Sequence, residues 1–383
     1  MPPSKHALLS ASSSHRWIEC PPSARLCERV KEASTSFARE GSEAHELCEY
    51  KLRTAVLGEK ANDPTSSLEF YNDEMERCSN DYATYISEII SGEKAEGNIP
   101  IVLIEQQLDF SKYVPDGFGT GDCVIVSGST LYVIDFKYGI GILVSAERNS
   151  QMLCYALGAY EALKDIYEIK NIVMTIFQPR RENLSTYELS VAELLNWGKN
   201  TLAPAAKLAY NGEGEFHPGS HCQFCKVKFT CRARAEHHTK LLSMDFREPE
   251  LLTIEEIAEV LDKAETLSAW VNDVKEYALG RALKGVKING YKIVEGRANR
   301  KITNEQEVAD IITQAGYEPF ENKLKGITAL ERMLGKQKFN DLVGKYVDKP
   351  TGKPTLVKES DKRPELSSKN DFKGDYILCQ IQK

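Results

Sequence analysis

The pattern of apolar and polar positions predicts a sheet flanked by helices. Short runs rich in Val, Ile and Phe predict buried strands at 99–109, around Asp122, around Asp135 and at 171–179, and a polar stretch predicts a short edge strand at 185–189. Helical periodicity covers 35–57, 67–92, 146–163 and 191–211. The order helix, three strands, helix, strand predicts a mixed α/β core whose helices cover the sheet.

A polar turn joins the two central strands, and each of these strands contains one aspartate. The turn at 127–130 has Gly128 at its first inner position, which favours a two-residue type II′ hairpin. Facing residue numbers then sum to 257, so Asp122 faces Asp135 with Cβ atoms roughly 5 Å apart. Lys137 shares the face of Asp135. Two carboxylates beside an ammonium group indicate a metal-dependent phosphodiester-cleaving site, although a loop one residue longer would place the aspartates on opposite faces.

Four further polar residues lie on elements next to this hairpin. His45 is on the helix at 35–57, where it is either a metal ligand or a packed residue. Gln151 and Tyr155 are four apart on a helix and share one face. Glu105 lies in the middle of an apolar strand, and it needs a partner if that strand is buried or is solvated if the strand is at an edge.

Three of the ten cysteines form the pattern C-x2-C-x5-C at Cys222, Cys225 and Cys231. This spacing allows thiolates to reach one metal or cluster. A nearby histidine (His217, His221 or His237) would complete a zinc site, whereas Cys20, at a helix-to-loop junction before Pro21, would complete a four-cysteine iron–sulfur site. The other six cysteines, among them Cys27, are expected to be buried or inert.

The bulk composition limits the classes of protein that fit. A chain of 383 residues is long enough for two or three domains, and we expect three parts: 1–245, an accessory α+β module at 246–347 and a flexible tail at 348–383. In the module we predict a helix at 253–283, a strand at 291–296 and helices near 304–316 and 327–344. The sequence shows no apolar run of membrane-spanning length and no secretory signal, which predicts a cytoplasmic protein with reduced thiols.

The net charge of −7 argues against a surface that is basic throughout, but it allows a local basic groove. Basic residues cluster in two places, where they either face phosphates or are solvated: Lys226, Lys228, Arg232, Arg234 and Lys240, and Arg297, Arg300 and Lys301.

Taken together, these motifs resemble the PD-(D/E)XK nuclease superfamily, in the RecB-like branch that carries an iron–sulfur cluster. Relatives in that branch include the AddB helicase–nuclease subunit and the CRISPR-associated exonucleases of spacer acquisition, and the chain is similar in particular to a phage and prophage-borne group. The resemblance covers about residues 5–240 and rests on His45 in EGSEAHELCEY, Asp122 in GTGD, the D-x-K element Asp135-Phe136-Lys137, the Q-x3-Y element Gln151/Tyr155, and the cysteines. The D-x-K element begins with Asp rather than the commoner Glu.

The resemblance implies a restriction-endonuclease-like fold and a role for each matching residue. His45, Asp122 and Asp135 would be ligands of Mg²⁺ or Mn²⁺, with Glu105 as an outer partner or an additional ligand. Lys137 would hold or activate the attacking water, and Gln151 and Tyr155 would position the strand. A [4Fe–4S] cluster would bind the four cysteines, with Zn²⁺ as the alternative: Cys20, Cys222, Cys225 and Cys231.

These roles predict a metal-dependent DNA exonuclease that acts on single strands or duplex ends. The alternatives are a structure-specific endonuclease such as a resolvase or nickase, a non-catalytic DNA-binding recombination scaffold, and a structural zinc protein. The phage-type setting also suggests an annealing or single-strand-binding protein as a partner.

Overall fold

The structure of the chain is a computed structural model that describes residues 7–30, 35–239, 253–291, 335–343 and 347. The chain divides into two compact units, Met1–Val294 and Glu295–Lys383. Most of the predicted strand at 291–296, the helix at 304–316, the tail and the second basic cluster lie outside the described residues. The division into domains at 245 and 347 stays a prediction.

Five strands form one mixed sheet, four at the predicted apolar runs and one at the predicted edge strand: β1 Ile101–Asp109, β2 Phe118–Ser127, β3 Thr130–Phe136, β4 Asn171–Gln178 and β5 Asn183–Ser190. Their spatial order is their chain order. Neighbouring strands are antiparallel except β3 and β4, which are parallel and are joined by a helical crossover. The mixed α/β prediction is therefore confirmed at the level of the sheet and its flanking helices.

Ten α-helices lie within the described residues: α1 Ser14–Glu19, α2 Ser23–Glu28, α3 Ser36–Lys51, α4 Asp73–Ala95, α5 Ser150–Leu163, α6 Val191–Trp197, α7 Ala203–Asn211, α8 Arg232–Thr239, α9 Ile254–Leu283 and α10 Lys336–Val343. Their starts follow capping chemistry. Asn72 accepts hydrogen bonds from the first turn of α4, so this helix begins six residues later than periodicity predicted. Asn149 caps α5 in the same way, and Cys20 ends α1, as expected before a proline pair.

The sheet separates two hydrophobic cores. On one face, α5, α6 and α7 pack against Val124, Val126 and Val133. On the other face, α3 and α4 pack against Cys123, Ile125, Ile134 and Phe136. Successive residues of β2 and β3 thus enter opposite cores, which is the alternation that a sheet buried on both faces requires.

The register of the central hairpin is the one that the turn predicted. Ser127 pairs with Thr130, and the pairing continues to Cys123 with Ile134, so that the paired numbers sum to 257. Gly128 has a φ of +54°, while Ser129 is not among the residues with positive φ, as a type II′ turn requires. The ladder ends one residue before the two aspartates, which therefore lie at its open end.

The alternation of β1 shifts at the point where the strand meets Asp122 of β2. Leu103 and Leu108 pack into the same core although they are an odd number of residues apart. Glu105, between them, has a φ of +49°, in the left-handed region that non-glycine residues seldom adopt. Pairing with β2 is interrupted at Glu105 and resumes in the same register at Gln106. The distortion changes the face of the sheet from which the residues after Glu105 project.

Candidate metal centre and cysteine site

Three potential metal ligands converge where the middle of β1 and β2 meets helix α3. One ligand atom each from His45, Glu105 and Asp122 lies within 4.8 Å of the others, and this is the one such group of three in the part of the chain that the structure describes. The Nδ1 atom of His45 on α3 is 3.2 Å from Oδ1 of Asp122. The other oxygen of Asp122 accepts a hydrogen bond of 2.7 Å from the main-chain N–H of Phe136. The carboxylate is thereby fixed between α3 and the end of β3.

Asp135 lies beside this group and connects it to helix α5. Its Oδ1 accepts hydrogen bonds of 3.2 Å from both Lys137 and Gln151. The ammonium of Lys137 also lies 2.9 Å from Oδ2, but at an angle that leaves this buried oxygen without a hydrogen bond from the described residues. Gln151 in turn accepts a bond of 3.3 Å from Lys137 and donates one of 3.1 Å to the hydroxyl of Tyr155. Gln151 and Tyr155 thus share one face of α5, as their spacing predicted, and the structure shows that Gln151 on this face reaches Asp135.

The acidic groups of the site have pKa values displaced by burial and by each other. Burial, and then the charge of Asp122, raises the pKa of Glu105 from its ordinary 4.5 to about 7. Burial raises the pKa of Asp135 as well; Lys137 opposes this rise and Asp122 adds to it. Burial also favours the protonated form of Asp122, but the charge and hydrogen bond of His45 outweigh it and lower its pKa. Burial and mutual repulsion thus oppose a fully ionised set of carboxylates at this site.

The basic groups of the site carry the compensating charge. Burial by itself lowers the pKa of His45, yet Asp122 and Asp135 outweigh it and raise the pKa to about 9. Burial also lowers the pKa of Lys137, but the charges of Asp135 and, to a smaller extent, Asp122 outweigh it and raise the pKa. Both side chains are therefore cationic at neutral pH. A divalent cation bound to His45 would replace its proton, because an imidazole coordinates metal in the neutral form.

The donor set fits a divalent ion that prefers oxygen and accepts one nitrogen. Glu105 and Asp122 supply carboxylate oxygens and His45 an imidazole nitrogen, a combination suited to Mg²⁺ or, more readily, Mn²⁺. The buried Oδ2 of Asp135 is a further acceptor, to which no residue in the described ranges donates a hydrogen bond. Sequence reasoning left Glu105 open between an exposed edge residue and a ligand. Its left-handed backbone was the feature that could not be read from the strand pattern.

The four predicted cluster ligands line one cavity between the N-terminal segment and the segment that leads into α8. Cys20 follows α1, and Cys222, Cys225 and Cys231 lie before α8. Burial raises the pKa of the Cys20 thiol, and the neighbouring thiols of Cys222 and Cys231 raise it further. No three of these sulfurs are within 4.8 Å of one another. Because Cys20 precedes the sheet and the other three cysteines follow it, the cavity brings these two segments of the chain together.

The surroundings of the cysteines contain two features that the spacing did not predict. The Sγ of Cys27, expected to be an inert thiol, lies 3.7 Å from the Sγ of Cys225. His221 contacts the carbonyl of His217 at 2.8 Å through Nε2, and Nδ1 of His217 is 3.1 Å from the carbonyl of Glu19. Both histidines are thus engaged with the main chain.

Part of the first basic cluster contacts helix α9. Asp273 of α9 pairs with Arg234 at 2.7 Å and with Lys228 at 3.0 Å. His238 stacks on Trp270 with ring centroids 5.3 Å apart. Lys228 and Arg234 are consequently used to attach α9 to the cysteine segment. No helix among the described residues has the length and apolar character needed to cross a membrane.

Comparison with known proteins gives a family for this arrangement. A family model described as "Protein of unknown function (DUF2800)" matches residues 6–364, almost the whole chain. The chain belongs to the DUF2800 family. The match extends beyond the sheet and the cysteine segment, so the DUF2800 region includes α9 and the residues that follow it.

A solved structure is also similar to this DUF2800 protein. It is described as "Crystal structure of SSO0001", is 11% identical, and is matched over 58% of this chain and 96% of its own, with a TM-score of 0.22. A superposition this loose carries no argument about function.

Proposed function

We propose that this DUF2800 protein is a divalent-metal-dependent DNA exonuclease with a PD-(D/E)XK, RecB-like core. The observation that carries the proposal is the placement of Asp122, Asp135 and Lys137 at one end of the sheet, with His45 and Glu105 beside them. A metal ion bound there would lower the pKa of a water molecule and neutralise charge on the phosphate that it attacks. Single strands or duplex ends are the proposed substrates, and the cytoplasm is the proposed location.

The residues of the chain have distinct roles in this proposal. Glu105, Asp122 and His45 would hold the ion, and the buried Oδ2 of Asp135 would be a further acceptor beside them. Because Asp135 raises the pKa of Lys137, the ammonium stays charged at neutral pH and can donate hydrogen bonds to a phosphate oxygen or a water. This role is electrostatic stabilisation rather than proton removal. Gln151 positions Lys137 and Asp135 through its amide, and Tyr155 orients Gln151.

The thiols beside the sheet favour an iron–sulfur cluster over zinc. Zn–S bonds of about 2.3 Å in a tetrahedral site require sulfurs less than about 4 Å apart, a closeness that no three of these cysteines have. A cluster binds its four cysteines through separate iron atoms and accepts a wider spacing. A cluster here would fasten the N-terminal segment to the segment before α8, and so close a long loop.

The experiment that tests this function is an anaerobic cleavage assay with labelled linear and circular DNA in the presence of Mn²⁺ or Mg²⁺. Linear single strands or duplexes should be shortened from an end, and circles should remain intact. Asp135→Asn should lower the rate at least about 100-fold, because one isosteric change removes the charge that holds Lys137. Asp165→Asn, at an exposed aspartate after α5, is the matched control and should cleave as the wild type does.

Cleavage of circles would replace the exonuclease with an endonuclease. DNA binding without any metal-dependent cleavage would favour a non-catalytic scaffold. Full activity of Asp135→Asn would refute the assignment of the site.

A further inference from the structure

An exposed apolar loop lies beside the candidate metal centre. The segment 137–149 connects β3 to α5. Its side chains Ile140, Ile142 and Leu143 are 54%, 51% and 57% exposed. Apolar side chains grouped in this way on a surface commonly mark a site of contact with another molecule. None of the roles assigned above to the metal ligands, Lys137 or Gln151 requires them.

The main chain of this loop is fixed while its apolar side chains face outward. The buried side chain of Gln178 donates hydrogen bonds of 3.0 Å to the carbonyls of Gly139 and Ile142, and it accepts one of 3.3 Å from the N–H of Val144. Asn183 adds a bond of 2.9 Å to the carbonyl of Val144. A buried amide with three bonds to one loop specifies its conformation. Ile140 and Ile142 are thus exposed on a loop whose main chain is fixed by hydrogen bonds.

The loop begins and ends at residues of the candidate site. Lys137 is its first residue, and Asn149, its last, caps the helix that carries Gln151. Ile140 is three residues from Lys137, and three residues of chain span at most about 10 Å. Gly139 and Gly141 flank Ile140 with open space where side chains would otherwise lie, so a nucleic-acid strand can approach closely. A nucleotide whose phosphate is near Lys137 therefore has its base within reach of this loop.

We propose that Ile140, Ile142 and Leu143 form a wedge that unstacks the terminal base pair of a DNA duplex and directs one strand to the metal centre. Apolar side chains of this kind are the ones that proteins insert between base steps. The inference rests on the proposed nuclease function and extends it by assigning strand separation at a duplex end to this loop. The loop is continuous with Lys137, and its stretch 139–144 contains no charged residue, which suits base edges and faces rather than the phosphate backbone.

The test compares two double variants with identical substitutions. Ile140→Ser/Ile142→Ser removes two exposed isoleucines from the loop, and Ile99→Ser/Ile166→Ser removes two that are 83% and 72% exposed. The control positions flank the start of β1 and follow α5, near the hairpin turn at the opposite end of the sheet. Cleavage is measured on a blunt duplex and on the same labelled strand alone. We expect the ratio of duplex to single-strand cleavage to fall at least about tenfold in the loop variant and to stay unchanged in the control.

A binding measurement provides a readout that is independent of cleavage. In an Asp135→Asn background, a duplex with 2-aminopurine at its terminal pair should gain fluorescence on binding, because the base becomes unstacked. Adding Ile140→Ser/Ile142→Ser should abolish that gain.

The possible outcomes separate the two proposals. If the wild type cleaves DNA but the loop variant keeps the wild-type ratio and fluorescence gain, the wedge is refuted and the nuclease stands. If the loop variant instead changes the oligomeric state, measured by light scattering, the loop is a protein contact and the wedge is refuted. If the wild type cleaves neither substrate, the nuclease proposal fails, and the wedge fails with it.

Discussion

Glu105 offers the most quantitative test of the site's electrostatics. Its carboxylate is partly buried on a left-handed residue, and burial together with Asp122 raises its pKa from 4.5 to about 7. The Glu105 carboxyl group therefore loses its proton near pH 4.5 in the unfolded chain and near pH 7 in the folded chain. Between these two values the folded state binds more protons, so its stability falls as the pH rises. The penalty is absent below the lower pKa and complete above the higher one.

The size of this penalty follows from the two pKa values. At 1.36 kcal/mol for each pH unit, the full difference corresponds to about 3 kcal/mol, and partial solvation of the side chain reduces the expected effect to about 1–3 kcal/mol. Glu105→Gln keeps the shape and removes the charge. We expect it to stabilise the metal-free protein by this amount at about pH 8 and by less than about 1 kcal/mol at about pH 5. The exposed Glu188→Gln of β5 is the matched control, and it should change neither value.

Denaturant unfolding at the two pH values, followed by tryptophan fluorescence, measures these differences. Adding Mn²⁺ provides a second comparison: a ligand that binds the folded state stabilises it, and loss of the Glu105 carboxylate should weaken that stabilisation. An equal effect of Glu105→Gln at both pH values, or no effect at the higher one, would refute the account of a strained acidic site that a cation relieves.

Three further predictions test other parts of the molecule. Gly119→Ala should destabilise the protein by about 1–3 kcal/mol in thermal or denaturant unfolding, because the added Cβ would lie 2.7 Å from Cε1 of the buried Tyr155; unchanged stability would contradict this packing. Asp273→Ala should leave the buried Arg234 without its partner, cost about 3 kcal/mol and speed proteolysis next to α9; an unchanged cleavage pattern would contradict the docking of this helix. Cys20→Ser should lower the iron and sulfide content of anaerobically purified protein, and full retention of both would remove this thiol from the ligand set.

The local features of the fold could be predicted where short-range chemistry determines them. The glycine at the turn set the hairpin register, and the four-residue spacing put Gln151 and Tyr155 on one helix face. Both outcomes depend on neighbours within a few positions, so periodicity and turn chemistry suffice. Helix starts were less accurate: α4 begins where Asn72 caps it, although apolar residues with helical spacing occur before that point.

The features that were not predicted depend on contacts between distant segments. Glu105 lies close to His45 and Asp122 because its own backbone adopts a left-handed conformation within β1. An apolar pattern does not encode this conformation. Cys27 contacts Cys225, although the two residues are 198 positions apart in the sequence. Lys228 was expected either to face phosphate or to be solvated, yet it pairs with an aspartate of α9. In each case the partner is chosen by tertiary packing.

The measurement that bears most directly on the central claim is cleavage of an end-labelled linear single strand with Mn²⁺ by two matched lysine variants. Lys137→Met removes the ammonium beside Asp135, and Lys170→Met removes an exposed one at the other end of the sheet. The account predicts cleavage that requires Mn²⁺, is unchanged in Lys170→Met, and falls at least about 100-fold in Lys137→Met while the protein remains folded. Wild-type rates from Lys137→Met, or cleavage that persists after chelation of all divalent ions, would contradict it.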